Sequence, residues 1–470
     1  MKEKLNEIKE VILEAARKAR QETGDIPAPQ DPEPFTWPIN CTVGPGLEGA
    51  IASESKIGYV NGSKGWLVYR GYDIFDLCAY STFEEVSYLL LHGHLPTTNE
   101  LNEFKGKLAK YRILNKTLRI VMSFPVEEMN PMAALRLGTN MMRQEYSYMD
   151  KEVGRPKLDD AISSDEDSIP METTPMGYAN AIYEFKTNLC KNPIGMRKTL
   201  WDASNTEACY QLIAGVSTLT SAIVRLKNGH MPIEPLPGLS HAANLLYMMT
   251  GHVPDPVEER IMDIALILHA DHGMNASTFA SLVVASTLSD IYFSVGAGIA
   301  ALNGPLHGGA NEQVVHSLLD IGGLDNVKAW VKNKIENKQK IVGFGHRVYK
   351  AYDPRARILG PLAEYLVGGR SDCMQVIYQT AKRVEEEVLE QFGREKKIFP
   401  NVDFYSGIVY GCLGIPVELY TPIFAVSRVS GWTARVIEYL QKNRIFRPRA
   451  IYTGEFNKEY VPIEQRNRDV

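Results

Sequence analysis

Three histidines of this chain lie in glycine-rich breaks between apolar runs: His272 in HADHGMN, His307 in NGPLHGGAN and His346 in VGFGHRVYKAYDPRAR. An imidazole at a helix start feels the positive end of the helix dipole. That lowers its pKa and favours a neutral ring able to donate one hydrogen bond to a carbonyl oxygen. Gly304 and Pro305 ahead of His307, with an apolar helix after Asn311, predict such a placement. For each histidine taken singly, a capping or core role is the blander reading. Asp403, in PNVDFYSG, falls between a proline-bounded loop and an apolar helix, where an isolated aspartate is a helix cap more often than a base. Arg355, Arg428 and Arg447 carry planar guanidinium forks that grip carboxylates at two points, so together they suit a small polycarboxylate, with surface ion pairing as the alternative.

Weaker signals surround these. His269 and His272, with Asp271 between them, have a spacing that can put two imidazoles on one helix face as metal ligands, and His92-x-His94 invites the same reading. No Glu-rich or Cys-rich motif completes either set, so no metal is expected. Gly296-x-Gly298 imitates a dinucleotide fingerprint, but Asn303-Gly304-Pro305 interrupts the helix it would need and no alternation of strand and helix surrounds it; close helix packing is expected instead. Between residues 327 and 357 there are nine Lys or Arg against two acids. Most such runs are solvated faces. This one leads into Gly343-Phe344-Gly345-His346, where a turn can bring backbone groups close to a flat base while the cations meet phosphates.

The elements that must position these groups are mostly helices. The chain has 470 residues, 44% hydrophobic and 23% charged, enough for a large buried core. A net charge of -5 and a pI of about 6.1 argue against general nucleic-acid or anionic-membrane binding. Six scattered cysteines without a C-x-x-C pair point to buried thiols in a reducing compartment. The most apolar stretch, Leu282 to Leu302, carries Asp290 near its middle and is expected to be a buried core helix, not a membrane span. Near the N-terminus, Leu5, Ile8, Val11, Ile12 and Ala15 form one helical stripe, while Glu3, Glu7, Glu10 and Glu14 contradict a targeting peptide; a cytoplasmic location is expected. Pro27 to Pro38 then forbid helix and predict an extended strap. The pieces IGYV and GWLVYR around Asn61-Gly62 predict a small hairpin. Helical periodicity marks 83–91, 259–270, 373–392 and 431–441, and 153–174 reads as an acidic insertion or linker.

The segments LVYRGYDIFDLCAYSTFEEVSYLLLHGHLPT, LSHAANLLYMMTG, LHADHGMNASTF, GPLHGGANEQV, VGFGHRVYKAYDPRA, PNVDFYSG, TPIFAVSRVSGW and RPRAIYTG, in that order, resemble the citrate synthase family across roughly residues 45 to 460. The resemblance implies a mainly α, two-domain helical fold with a small N-terminal β-hairpin. Residues 1–44 would form the N-terminal helix and strap, 45–307 and 408–470 a large domain with 145–207 as an insertion, and 308–407 a small domain. It implies that His307, His346 and Asp403 are catalytic, and that His272, Arg355 and Arg428 bind oxaloacetate. Arg447 would reach the site of the partner in a homodimer, and dimers could build hexamers. The backbone of Ile341, Val342, Gly343 and Gly345 would meet the adenine of acetyl-CoA, and Lys350 and Lys396 its phosphates. No cofactor beyond the substrates is implied. Still open are 2-methylcitrate synthase with propionyl-CoA, a metal-dependent hydrolase, and a silent CoA-binding protein.

Overall fold

The computed structural model describes residues 2–24, 43–146, 198–393, 397–449, 453–455 and 460–466. The proline strap, the acidic stretch from 153 to 174 and Lys396 lie outside the described residues. The protein is mainly α-helical. In chain order the helices are α1 (Lys2–Thr23), α2 (Ile74–Tyr80), α3 (Phe83–His92), α4 (Thr98–Tyr111), α5 (Asn115–Val121), α6 (Pro131–Met141), α7 (Arg143–Tyr146), α8 (Lys198–Lys227), α9 (His241–Thr250), α10 (Pro256–His269), α11 (Ala276–Ser286) and α12 (Ile291–Leu302). They continue as α13 (Ala310–Asp320), α14 (Val327–Glu336), α15 (Pro354–Val367), α16 (Cys373–Val388), α17 (Val402–Cys412) and α18 (Tyr420–Leu440).

Side-chain caps fix where many of these helices begin. Thr82, Thr97 and Asp255 close capping boxes at α3, α4 and α10, each satisfying orphan N–H groups of the first turn. The expected hairpin is present as β1 (Gly58–Asn61) and β2 (Trp66–Tyr69), antiparallel with Tyr59 opposite Val68, and a third short strand, β3 (Tyr72–Asp73), extends it. Its turn supports the His346 segment: Lys350 N–H donates to Gly62 O at 2.8 Å. A Cβ at Gly62 would lie 2.0 Å from Val348 O, so only glycine admits this approach.

At the centre runs α18, buried without interruption from Tyr420 to Val436, its two buried arginines, Arg428 and Arg435, lying among mostly apolar residues. It packs against α3, α8, α10, α11 and α12. The segment from Thr206 to Lys227 within α8 is long and apolar enough to cross a membrane, but it is largely covered by the protein itself. The α8 helix starts at Lys198, so the last ten residues of the expected insertion are helical.

The single helix expected over Leu282 to Leu302 is a correction. Two helices, α11 and α12, fold back against each other, and Asp290 is the N-cap of the second, accepting from Phe293 N–H at 3.0 Å. A short carboxylate beside orphan N–H groups stabilises a new helix start better than it tolerates a helix interior. The α1 stripe is as expected, with Ile8, Ile12 and Ala15 buried against α2, α10 and α15. Cys78, Cys209 and Cys412 are buried free thiols, whereas Cys373 is exposed at the start of α16.

Candidate active site

His307 lies in the turn between α12 and α13, and its ring is held from elsewhere. Its Nε2 accepts from Ser277 N–H at 3.2 Å and contacts Ser277 Oγ at 2.8 Å, at the first turn of α11. The helix start that acts on this ring is therefore that of α11; the helix following His307 begins only at Ala310. Because Nε2 is the acceptor, the ring proton sits on Nδ1. Burial, reinforced by the charge of Arg428, lowers the His307 pKa to about 4, so the ring is neutral near pH 7.

His346 is locked in the opposite tautomer. Its Nδ1 accepts from Val348 N–H at 3.0 Å and Tyr349 N–H at 3.1 Å, which leaves the proton on Nε2. Burial, with help from Arg355, brings its pKa to about 4 against the opposing pull of Asp353. The His272 ring stands edge-on to it, with centroids 5.2 Å apart, and His272 Nε2 meets Tyr349 OH at 3.2 Å. Burial and the nearby arginines keep His272 well below the ordinary imidazole range.

Asp403 occupies the first turn of α17 but is not its cap. Asn401 is, accepting from Asp403 N–H at 3.0 Å, and this leaves the Asp403 carboxyl without a capping duty. The residue keeps some exposure, yet the protein around its carboxyl displaces enough water to raise the pKa to about 6, with Arg355 and Arg428 opposing the shift. Phe404 packs its ring 4.6 Å from that of Phe344, joining α17 to the 341–346 turn. Asn401 N–H donates to Gly343 O at 2.8 Å and Gly345 N–H to Phe399 O at 2.9 Å. Gly343 and Gly345 both have positive φ, and a Cβ at Gly343 would be 2.8 Å from Phe404 and Val314. Ile341 and Val342 pack partly buried beside this turn, and Lys350 is exposed near it.

The arginines differ in state. Arg355 is buried and paired with Asp353 through Nε at 3.0 Å and Nη2 at 2.7 Å, leaving Nη1 free of that pair. Asp353 also accepts Val402 N–H at 3.1 Å, so one carboxylate ties Arg355 to the helix that carries Asp403. Arg428 is buried, donates from Nε to His269 O at 2.6 Å, and has no ion-paired carboxylate among the described residues. Burial lowers its pKa to about 10, which leaves it cationic. An unpaired buried guanidinium is costly unless an anion arrives to meet it. Its charge holds down the pKa of His272 and His307 and opposes the rise at Asp403. Arg447 stands apart, exposed, with Nη1 hydrogen-bonded only to Pro448 O among the described residues.

Two backbone-locked neutral imidazoles, a poised carboxyl and a buried cation awaiting an anion meet the requirements of a reaction on carbonyl compounds that carry carboxylates. Comparison with known proteins agrees. The model of the citrate synthase C-terminal domain matches residues 46–449. The chain belongs to the citrate synthase family. It is 41% identical over 424 residues to citrate synthase of Deinococcus radiodurans, covering 90% of this chain and 98% of that one. It is 36% identical to the citrate/2-methylcitrate synthase of Bacillus subtilis, over 87% and 96% of the two chains. Among solved structures, citrate synthase of Pyrobaculum aerophilum superposes with a TM-score of 0.75 at 40% identity, covering 89% of this chain and 95% of that one. The Thermoplasma acidophilum citrate synthase, solved in ternary complex with carboxymethyl coenzyme A and oxaloacetate, gives a TM-score of 0.73 at 32% identity, covering 90% of this chain and 98% of that one. Citrate synthases are acyltransferases, and this chain is an enzyme of that class.

Within a citrate synthase framework the remaining sequence signals resolve into packing. Asp271 pairs with Arg435, and the His269 ring lies against Phe424 with its Nδ1 on Ala265 O; among the described residues no group of three or more His, Cys, Asp or Glu lies together. His92 bonds Tyr210 OH and His94 faces Glu100. A Cβ at Gly296 or Gly298 would collide with Asn140 or Ser281, the close packing expected there. Ser277, Tyr349 and Asp353 were not singled out by sequence. Ser277 and Tyr349 act through contacts with histidines distant in sequence, which leave no local pattern, whereas Asp353 is marked only as a helix cap before Pro354.

Proposed function

We propose that the protein condenses acetyl-CoA with oxaloacetate and water to give citrate and CoA. The observation that carries this is the pair of oppositely locked neutral imidazoles together with a carboxyl of raised pKa, on a helix tied through Asn401 to the turn that carries His346. Asp403 takes a proton from the thioester methyl group while His307 Nδ1–H hydrogen-bonds the thioester oxygen, so that charge develops on an oxygen met by a donor. The resulting enol carbon attacks the ketone of oxaloacetate. His346 Nε2–H polarises that ketone and protonates the new alkoxide. Water then cleaves the citryl thioester, releasing the CoA thiol. Arg355 and Arg428, with His272, hold the oxaloacetate carboxylates, and the positive-φ turn at Gly343 and Gly345 with Ile341, Val342, Lys350 and Lys396 receives CoA.

The same proposal includes closure of residues 308–407 as a small domain over 45–307 and 408–470, excluding water from the enol. It includes a homodimer in which Arg447 completes the partner's site, supported by the exposure of that side chain. No cofactor is needed, because the substrates and water balance every step. A cytoplasmic setting is supported by the buried free thiols.

The test is release of CoA thiol with oxaloacetate and either acetyl-CoA or propionyl-CoA. A higher kcat/KM for acetyl-CoA that disappears in Asp403→Asn, with oxaloacetate binding retained, is expected. Preference for propionyl-CoA would move the assignment to 2-methylcitrate synthase, the activity named for the B. subtilis relative, since one methylene is worth only about 1–3 kcal/mol in a pocket. No release with either thioester would overturn the proposal.

A further inference from the structure

The turn that carries His272 is seated on one face of α18. Arg428, Gly431 and Arg435 follow the i, i+3, i+7 spacing that aligns side chains along a helix. Arg428 Nε donates to His269 O at the end of α10. At Gly431 the turn touches the helix backbone itself, for a Cβ there would lie 2.2 Å from Ala270 O. Arg435 then grips Asp271 in a fork, Nε to Oδ1 at 2.6 Å and Nη2 to Oδ2 at 2.7 Å, with both residues buried.

The opposite side of the turn is held by one phenol. Tyr69 OH donates to Asp271 O at 2.8 Å and accepts from Asp271 N–H at 3.2 Å, so the backbone of the residue before His272 is fixed at both ends. The Asp271 carboxylate also accepts Gly273 N–H at 3.1 Å, closing the turn on the far side of His272. By contrast, among the described residues the His272 ring has a single hydrogen bond, to Tyr349 OH, besides its edge-on packing against the His346 and Tyr349 rings. Its direction is therefore set by the backbone on either side of it.

We propose that Tyr69, Asp271, Gly431 and Arg435 are positioning residues that aim His272 at oxaloacetate, an inference that rests on the function proposed above. Their polar groups are engaged with the turn itself, so they act on the substrate through His272. They govern the geometry of one carboxylate-binding donor, and small displacements of such a donor cost binding steeply.

Tyr69→Phe, Arg435→Gln and Arg435→Lys test this through the KM for each substrate, with thermal unfolding measured alongside. In Tyr69→Phe and Arg435→Gln the KM for oxaloacetate is expected to rise by roughly tenfold or more, while that for acetyl-CoA at saturating oxaloacetate stays within about twofold. Arg435→Lys, which keeps the charge but loses the fork, is expected to fall between. Should Arg435→Gln not fold, because it strands the buried Asp271 carboxylate, Tyr69→Phe removes a single hydroxyl and decides the matter. An unchanged oxaloacetate KM in Tyr69→Phe with a lowered Tm, or an equal rise in both KM values, would overturn the proposal. If the wild-type enzyme releases no CoA, the proposed function fails separately, and calorimetric binding of oxaloacetate to wild type and Tyr69→Phe then decides the seat; equal affinities, or no binding by wild type, overturn it.

Discussion

Asp403 must be ionised to accept a proton, and its carboxyl is held near a pKa of about 6. Below that pH it is protonated and cannot serve as base, and above it the base is present. His307 and His346, lowered to about 4, stay neutral on both sides of this transition. The kcat/KM for the thioester is therefore expected to climb with pH through about 6 and then level, a profile readable from initial rates between about pH 5 and 8. A rate that is flat across this range would remove Asp403 from the role of base. At this scale the sequence disclosed the residue types but not what holds them. His307 is anchored by a backbone N–H thirty positions earlier and His346 by two just after it, and backbone donors carry no side-chain signature. Asp403 was expected to be a cap more often than a base. Asn401, two residues before it, performs the capping.

The helices were legible where charged or polar residues interrupt the apolar ones with the 3.6-residue period, most plainly in α16, whose buried Ile377, Ala381, Val384 and Val388 lie on one side. The α11 and α12 pair was not. Both are apolar on nearly every face, which erases periodicity, so the run from Leu282 to Leu302 looks continuous and only the polar pair Ser289-Asp290 marks the break. Asp290 also faces the exposed Arg143 at 3.6 Å, a solvent-screened pair of little weight beside the cap itself. Asp290→Ala is expected to lower the free energy of unfolding by about 1 kcal/mol, measured by urea denaturation, with turnover unchanged. A loss of turnover would mean that the α11–α12 reversal also sets the position of Ser277 and thus of His307. The third strand was likewise hidden, being two residues long on a tight turn out of β2, and so was the docking of the Gly62 turn under the His346 segment, a pairing between distant stretches of chain.

At the scale of the whole molecule, the order of the motifs disclosed the family, while the N-terminal helix lies outside the 46–449 match; its apolar stripe marked the face that docks but not that α2, α10 and α15 receive it. Arg447 poses the sharper question. It belongs to the stretch after α18, where Asn443 and Phe446 are bonded to Ser286 and the Phe446 ring lies 5.3 Å from that of Phe279, so the backbone leading to it is fixed while its own side chain is exposed. A cation held out in this way serves its own site only if the chain refolds, and serves a partner's site if a second copy docks there. The two cases give different results in mixed assemblies. In a dimer with exchanged arginines, a hybrid of one Asp403→Asn subunit and one Arg447→Ala subunit has one site with both defects and one with neither. Coexpression of two inactive variants in equal amounts gives hybrids as half of all dimers, each with one working site, and so roughly a quarter of wild-type activity. If Arg447 served its own subunit, each site of the hybrid would carry one defect and the mixture would stay inactive. Activity near a quarter, appearing only when the subunits are coexpressed or exchanged and never in either variant alone, is the expected result.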